Sequence, residues 1–305
     1  MSAVICRRRA NLYVGARRLP VKLKSTPEAA VYPAPSPSSR ARDNMTPRPM
    51  TFRHPYRVPT FISEGAAFVA GAMFLLGGCA MAPADDARVA SARNQKVIES
   101  PIRTDQDRRM DAARHPVEFL PFTGVKPGMQ VLDVSAGGGY TSQLLALAVG
   151  PTGMVWAQRE QAGAALTKRL SDQPQANLVV VLRPFEDPVP DQAPKLDLIT
   201  LVLNYHDITY LPVDRDKMNR RLFAALKPGG HFVVVDHSAK PGSDISSGKT
   251  LHRIDQAIVV AEVRKAGFVL EAESDFLRDP ADTLEVSSGD SKIPTDKFAL
   301  RFVKP

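Results

Sequence analysis

Residues 131–140 have the sequence Val131-Leu132-Asp133-Val134-Ser135-Ala136-Gly137-Gly138-Gly139-Tyr140. This stretch begins in a short apolar run that predicts a β-strand, and helical spacing starts at Tyr140. Glycines between a strand and a helix let the backbone turn sharply and let a ligand approach the free N–H groups at the helix start. Such a turn can also serve only to pack a helix against a strand, so the surrounding elements decide its meaning.

Strand and helix patterns alternate along the rest of the chain. The predicted strands are 130–134, 154–157, 178–182, 196–203, 231–235, 268–271 and 298–303, and the predicted helices between them include 140–148, 161–170, 214–226 and 255–265. Runs that are apolar at every position, separated by helices, indicate a parallel sheet covered on both faces. With right-handed crossovers, the sequence predicts an α/β fold with a doubly wound, mostly parallel, seven-stranded sheet.

The positive charge of the chain lies outside this alternating region. The net charge is +8, and residues 1–50 alone hold ten Lys or Arg against two acidic residues. Residues 80–305 hold 28 basic and 29 acidic side chains. A nucleic-acid-binding domain would carry its basic residues on the folded part, so the pattern argues against a nucleic-acid partner.

The first 79 residues have two compositions. Residues 1–50 are basic and rich in Pro and Ser, which predicts a disordered leader. The alternative is that translation starts later, at Met45 or Met50. Residues 51–79 have a positive end and an apolar run, and they finish with Leu76-Gly77-Gly78-Cys79, which resembles the lipobox of bacterial lipoproteins.

This resemblance implies lipidation at Cys79 and a periplasm-facing protein attached to the membrane, the outer membrane being favoured over the inner because Ala80 follows the cysteine. An uncleaved anchor over 65–84, an ordinary apolar role for Cys79 and a cytoplasmic location remain alternatives. Residues 80–104 are expected to be a tether or a short helix, and residues 105–305 the folded domain.

Three more motifs stand at fixed places around the glycine-rich turn: Gly150-Pro151-Thr152-Gly153 before the second strand, Leu196-Asp197-Leu198-Ile199 in the fourth, and Leu226-Lys227-Pro228-Gly229-Gly230 before the fifth. With them, residues 125–236 resemble the class I S-adenosylmethionine-dependent methyltransferases, which have a Rossmann-like sheet. Arg114-His115-Pro116, Asn204-Tyr205-His206-Asp207 and Leu251-His252-Arg253-Ile254-Asp255 are similar to a narrower group of exported bacterial predicted methyltransferases.

The resemblance implies S-adenosylmethionine as the cofactor and assigns it eight binding residues: Asp133, Ser135, Gly137, Gly139, Glu160, Asp187, Asn204 and Tyr205. Asp133 would hold the methionine part, and Asp187 would contact the adenine. The chain departs from the family at the end of the second strand, where Arg159 stands in place of the acid that grips the ribose. Glu160 is the nearest substitute. Arg159 could instead suit a phosphate, which keeps a dinucleotide as an alternative ligand.

His206, Asp207 and Asp236 are the candidate catalytic residues, because they follow the fourth strand or end the fifth, on the expected cofactor side. His206 is a candidate general base near neutral pH, and the alternative is that it only walls the pocket. The polar residues around Asp236 and His252 could form a polar acceptor site or bind a metal, but they lack the spacing of a metal motif, so we assign no metal.

The sequence therefore predicts a methyltransferase that acts on a small-molecule acceptor. S-adenosylmethionine is made in the cytosol, whereas Cys79 points to export. The alternative is a catalytically silent lipoprotein of the cell envelope that binds a nucleotide-like ligand, and a purely structural lipoprotein would bind no cofactor.

Overall fold

The computed structural model describes residues 83–305. The helices in this part of the chain are α1 (Pro83–Ile98), α2 (Asp105–Arg114), α3 (Pro116–Thr123), α4 (Tyr140–Val149), α5 (Ala164–Asp172), α6 (Tyr205–Ile208), α7 (Arg215–Ala225), α8 (Ser246–Leu251) and α9 (Gln256–Lys265). The strands are β1 (Gln130–Val134), β2 (Met154–Arg159), β3 (Leu178–Leu182), β4 (Leu196–Val202), β5 (Leu226–His237), β6 (Val269–Ser274) and β7 (Lys297–Val303).

The seven strands form one sheet in the order β3-β2-β1-β4-β5-β7-β6. β1 to β5 are parallel to their neighbours, and β7 runs antiparallel to both β5 and β6. In the register, Val131 lies opposite Val155 on one side and Leu198 on the other. The α/β fold with a mostly parallel seven-stranded sheet, predicted from the alternating pattern, is confirmed.

Helices cover both faces of the sheet and bury two hydrophobic cores. Successive side chains of a strand point to opposite faces, so Leu132 joins one core while Val131 joins the other. The first core includes Leu222 of α7 and Val259 of α9, and the second includes Leu145 of α4. Strands buried on both sides account for the continuous apolar runs in the sequence.

The order of the strands positions a ligand crevice. From β1 the chain builds outward through β2 to β3 on one side, and it then returns to place β4 on the other side of β1. Ligands of open α/β sheets bind outside the carboxyl ends of the strands at such a reversal. The glycine-rich turn after β1 and Asn204 after β4 both lie there.

Two boundaries differ from the sequence prediction. Residues 80–104, expected mainly as a tether, contain the sixteen-residue helix α1, which packs on α3 and α4 and buries Val97 in the second core. β5 begins at Leu226 rather than at residue 231, because Leu226 pairs with Leu196 before an irregularity in the ladder. The folded domain therefore begins before residue 105.

The predictions for residues 1–79, including the disordered leader, the signal-like segment 51–79 and lipidation at Cys79, lie outside the described residues. Within 83–305, no helix has both the length and the apolar character needed to cross a membrane.

Candidate functional site

Two adjoining cavities open at the carboxyl edge of the sheet, one on each side of the glycine-rich turn. The first has a volume of about 450 Å³ and the second about 310 Å³, and Ser135, Gly137 and Asn204 line both. Together they form one crevice, which we call the switch-point crevice. Its size is in the range of small-molecule and cofactor sites.

Backbone conformation explains the residues of the turn. Ser135, Gly137 and Gly139 all have positive φ values, of 56°, 55° and 84°. Ser135 is not a glycine, and its amide donates a hydrogen bond of 2.9 Å to the side chain of Gln158. A Cβ on Gly139 would lie 2.6 Å from Leu166 Cδ1, so this glycine allows α5 to pack against the turn. Gly139 therefore shapes the turn without lining either cavity.

Asp133 lies at the inner end of the first cavity and is 2% exposed. Its carboxylate accepts hydrogen bonds from the hydroxyls of Ser142, at 2.5 Å, and Thr200, at 2.7 Å. Burial raises the pKa of Asp133 to about 6, although these hydrogen bonds and the charge of Arg114 oppose the rise. The group is therefore mostly ionised at pH 7 and is placed to meet a cationic ligand group.

Arg114 is a site residue that our sequence reasoning missed. Its guanidinium lines the first cavity and stacks over the ring of Tyr140, with 5.8 Å between Cζ and the ring centroid. Among residues 83–305 it makes no hydrogen bond or ion pair. Burial lowers the pKa of Arg114. In the sequence, Arg114 appeared only as part of the Arg114-His115-Pro116 motif, which did not indicate a function for its side chain.

The second cavity is lined by Glu160 and Arg159, the two residues at the departure from the family pattern. Glu160 is exposed, and one of its carboxylate oxygens lies 3.4 Å from the amide nitrogen of Phe185. The guanidinium of Arg159 donates to the carbonyls of Gly137 and Gln161. Glu160 is therefore open to a ligand, whereas Arg159 already has backbone partners.

Two predicted binding residues lie away from the crevice. Asp187 lines neither cavity and forms ion pairs with Arg183 and Arg221. The side chain of Tyr205 is fully buried, and its hydroxyl donates to Glu262 at 2.7 Å. The geometry thus gives both residues structural contacts in place of the cofactor contacts that the resemblance implies.

The three candidate catalytic residues come together. His206 Nδ1 lies 2.6 Å from Asp236 Oδ1, and the backbone N–H of His206 donates to Asp236 Oδ2 at 2.8 Å. On the other side of the ring, His206 Nε2 lies 3.2 Å from Asp207 Oδ1. His206 is 4% exposed and Asp236 is completely buried, whereas about a third of the Asp207 side chain is exposed.

The two carboxylates change the acid–base behaviour of His206. Burial alone would lower the pKa of His206, but its hydrogen bonds to Asp207 and Asp236 prevail and raise the pKa to about 9. Burial would also raise the pKa of Asp207, yet hydrogen bonds from His206 and Tyr210 hold it well below its usual range. A general-base role for His206 stays a prediction, and the two carboxylates make its ring more basic than a free imidazole.

Two further histidines face this group. His252 Nδ1 lies 3.3 Å from Asp207 Oδ1, and its ring centroid is 5.7 Å from that of His206. The ring centroid of His237 is 5.9 Å from that of His206, and its Nδ1 is 2.9 Å from the Thr295 hydroxyl. Burial and nearby cations lower the pKa of His237 to about 3, so His237 is neutral.

Comparison with known proteins gives methyltransferases among the sequence relatives of this chain. The ubiquinone/menaquinone biosynthesis C-methyltransferase UbiE of Ectopseudomonas mendocina is 29% identical over 128 residues, which are 41% of this chain and 48% of that protein. The enzyme of the same name from Laribacter hongkongensis is 30% identical over 139 residues, or 43% and 54% of the two chains. These relatives are C-methyltransferases by name, and the similar region is less than half of this chain.

The chain spans about half the length of these curated relatives. No protein-family model matches it. Among solved structures, a SAM dependent methyltransferase from Aquifex aeolicus is 18% identical, with a TM-score of 0.49 over 70% of this chain and 98% of that one.

Proposed function

We propose that this chain is an S-adenosylmethionine-dependent methyltransferase that acts on a small-molecule acceptor. The proposal rests on the switch-point crevice. One of its cavities has groups that suit the amino acid end of this cofactor, and the other has a group that suits the ribose. The first cavity presents Asp133 and Arg114, and the second presents Glu160. The UbiE relatives, which are methyltransferases by name, support the same activity.

Each end of the cofactor matches a group of the crevice in charge. The amino acid end carries an ammonium and a carboxylate, which suit the carboxylate of Asp133 and the guanidinium of Arg114. The ribose carries two neighbouring hydroxyls, which suit the two acceptor oxygens of Glu160. Ser135, Gly137 and Asn204 lie between these groups, because they line both cavities.

The bound cofactor would supply a methyl group activated by its sulfonium, so the protein mainly has to position the acceptor. We assign this task to the group formed by His206, Asp207 and Asp236, which begins two residues after Asn204 of the crevice. Asp236 fixes the ring of His206. The partly exposed carboxylate of Asp207 is the group best placed to meet an acceptor.

The alternative ligand is a phosphate-bearing dinucleotide bound through Arg159. The geometry disfavours it, because the Arg159 guanidinium is engaged by the carbonyls of Gly137 and Gln161. A 2′-phosphate would have to displace these contacts. The phosphate of such a dinucleotide would also lie near the carboxylate of Glu160, and the two negative charges would repel each other.

Calorimetric titration of the full chain with S-adenosylmethionine and, separately, with NADPH tests this choice. We expect binding of S-adenosylmethionine in the micromolar range and no measurable heat of binding with NADPH. If the folded protein bound NADPH but not S-adenosylmethionine, the proposed function would be wrong. The protein would then be a module that binds a nucleotide.

A further inference from the structure

Three side chains outside the switch-point crevice converge on one point. His206 and Asp207 belong to α6, after β4, and His252 caps the carboxyl end of α8. One nitrogen or oxygen atom from each of the three lies within 4.8 Å of the others. Asp207 Oδ1 is in the middle, 3.2 Å from His206 Nε2 and 3.3 Å from His252 Nδ1.

These separations agree with the edges of a metal coordination shell. Zn²⁺ binds imidazole nitrogen and carboxylate oxygen at about 2.0 to 2.2 Å, which places neighbouring tetrahedral ligand atoms about 3.3 to 3.5 Å apart. An ion on the side of Asp207 Oδ1 that faces the two rings would be within bonding distance of all three atoms after shifts of a few tenths of an ångström.

Neighbouring groups orient the ligand atoms in the way that metal sites require. Asp236 lies 2.6 Å from Nδ1 of His206 and accepts its proton in a hydrogen bond, so that Nε2 is the atom turned toward Asp207. A carboxylate behind a histidine is the usual outer partner of a histidine ligand. The hydroxyl of Tyr210 donates to Asp207 Oδ1 at 2.6 Å and holds the carboxylate in place.

The backbone conformation of His252 sets the direction of its ring. Its φ is 50°, in the left-handed region, which His, Asn and Asp adopt more often than other non-glycine residues do. This conformation ends α8 and places the ring edge-on to His206, at an interplanar angle of 84°. The ring also contacts Tyr210 edge-on, with 6.4 Å between centroids.

We propose that His206, Asp207 and His252 form a binding site for a divalent transition-metal ion, with Zn²⁺ as the ion that suits the ligands best. Two imidazoles and one carboxylate are typical ligands of a catalytic zinc site, which keeps a fourth position for water or substrate. Asp207 and His252 have side chains that are 34% and 46% exposed, so the remaining position faces solvent. The site requires neither S-adenosylmethionine nor the proposed methyl transfer.

The test uses the full chain without a histidine tag and with Cys6 and Cys79 replaced by serine, because free thiolates would themselves bind zinc. After treatment with a chelator, the protein is titrated with Zn²⁺ by calorimetry and with Co²⁺ by visible absorption. We expect one ion per chain, with a dissociation constant for Zn²⁺ in the micromolar range or tighter and the intense absorption of four-coordinate Co²⁺.

Two variants of the proposed ligands and one control variant test whether the ion binds at this site. His252→Asn keeps a residue that tolerates positive φ, and Asp207→Asn keeps the shape of the side chain. We expect each to weaken Zn²⁺ binding by about 100-fold or more, beyond the loss typical of outer partners. His231→Ala removes another histidine–carboxylate pair, that of His231 in the middle of β5 with Glu271 of β6, and should leave the affinity within about twofold.

Thermal unfolding checks that each variant is folded. The proposal is overturned if the parent protein binds neither ion, or if folded His252→Asn and Asp207→Asn variants bind Zn²⁺ as tightly as the parent. Failure of S-adenosylmethionine binding with intact zinc binding would refute the proposed function and leave the metal site standing.

Discussion

At the scale of single residues, Arg114 is the most informative side chain of the crevice. It is a half-buried cation that lines the first cavity near Asp133, with no hydrogen bond or ion pair to the part of the chain that the structure describes. Removing a charge from water even in part is unfavourable when no partner compensates it, which indicates that a ligand anion completes the site. The carboxylate of S-adenosylmethionine is the anion that our proposal provides.

Replacement of Arg114 by glutamine should therefore weaken S-adenosylmethionine binding by about 10- to 100-fold, the value of a charged hydrogen bond. 5′-Methylthioadenosine has the same nucleoside but no amino acid group, so its affinity should be unchanged. Calorimetry with both ligands on parent and variant measures the difference. Equal losses for the two ligands would contradict a role of Arg114 at the amino acid end.

From the sequence we could predict crevice residues correctly only where the order of strand, turn and helix determines their position. Asp133 and the turn glycines follow directly from the strand–turn–helix order, and the structure places Asp133, Ser135 and Gly137 at the crevice. Position along the chain did not reveal that arginines pair with Asp187 or that Tyr205 points into the core. Asp207 and His252 are 45 positions apart, so no local motif could join them.

At the scale of elements, an ion pair between Asp107 of α2 and Arg169 of α5 connects α2 to the glycine-rich turn. Asp107 accepts two hydrogen bonds from Arg169 of α5, at 2.6 and 2.8 Å, and Arg169 Nε donates to the carbonyl of Gly138. Asp107 also forms a capping box with Thr104 at the start of α2. The pair thus connects the helix that carries Arg114 to the turn under the proposed cofactor.

This pair predicts a defined loss of stability in acid. Burial would raise the pKa of Asp107, but hydrogen bonds from Arg169 and Thr104 prevail and lower it from 3.8 to about 2. A depressed folded-state pKa contributes stability that is present above the unfolded value and is lost as the pH falls through the folded value. The contribution of Asp107 should be about 2 kcal/mol above pH 5 and should disappear toward pH 2.

Urea unfolding of the parent and of Asp107→Asn at several pH values measures this contribution. The difference in free energy of unfolding should be largest near neutral pH and shrink below pH 4. Asp216→Asn, which breaks the exposed pair of Asp216 with Lys265, serves as the control and should show little effect at any pH. A difference between parent and Asp107→Asn that stayed constant with pH would refute the account.

The elements themselves were predictable to different degrees. The predicted strands 130–134 and 178–182 coincide with β1 and β3. β1 gives an unbroken apolar run because both of its faces are buried. β3 is an edge strand with Val179 and Leu182 exposed, and its run of β-branched residues predicted it. No sequence pattern predicted α6 and α8, which have four and six residues and lack side-chain caps. Such short helices are stabilised by tertiary packing, which local sequence does not encode.

At the scale of the whole molecule, we propose that Cys79 carries a lipid anchor ahead of the folded domain. The proposal comes from the Leu76-Gly77-Gly78-Cys79 motif and concerns residues outside those that the structure describes. Expression of the full gene in a bacterium with labelled palmitate should label the protein, and Cys79→Ser should abolish the label. Labelling that persisted in the variant would refute the lipobox interpretation.

We propose that the switch-point crevice at the ends of β1, β2 and β4 holds S-adenosylmethionine with Glu160 at its ribose. Calorimetry should give the dissociation constant of S-adenosylmethionine for the full chain and for Glu160→Gln. We expect micromolar binding that weakens by about 10-fold or more in the variant, since a charged two-oxygen contact is lost. No binding by the folded parent, or equal affinity in the variant, would contradict this proposal.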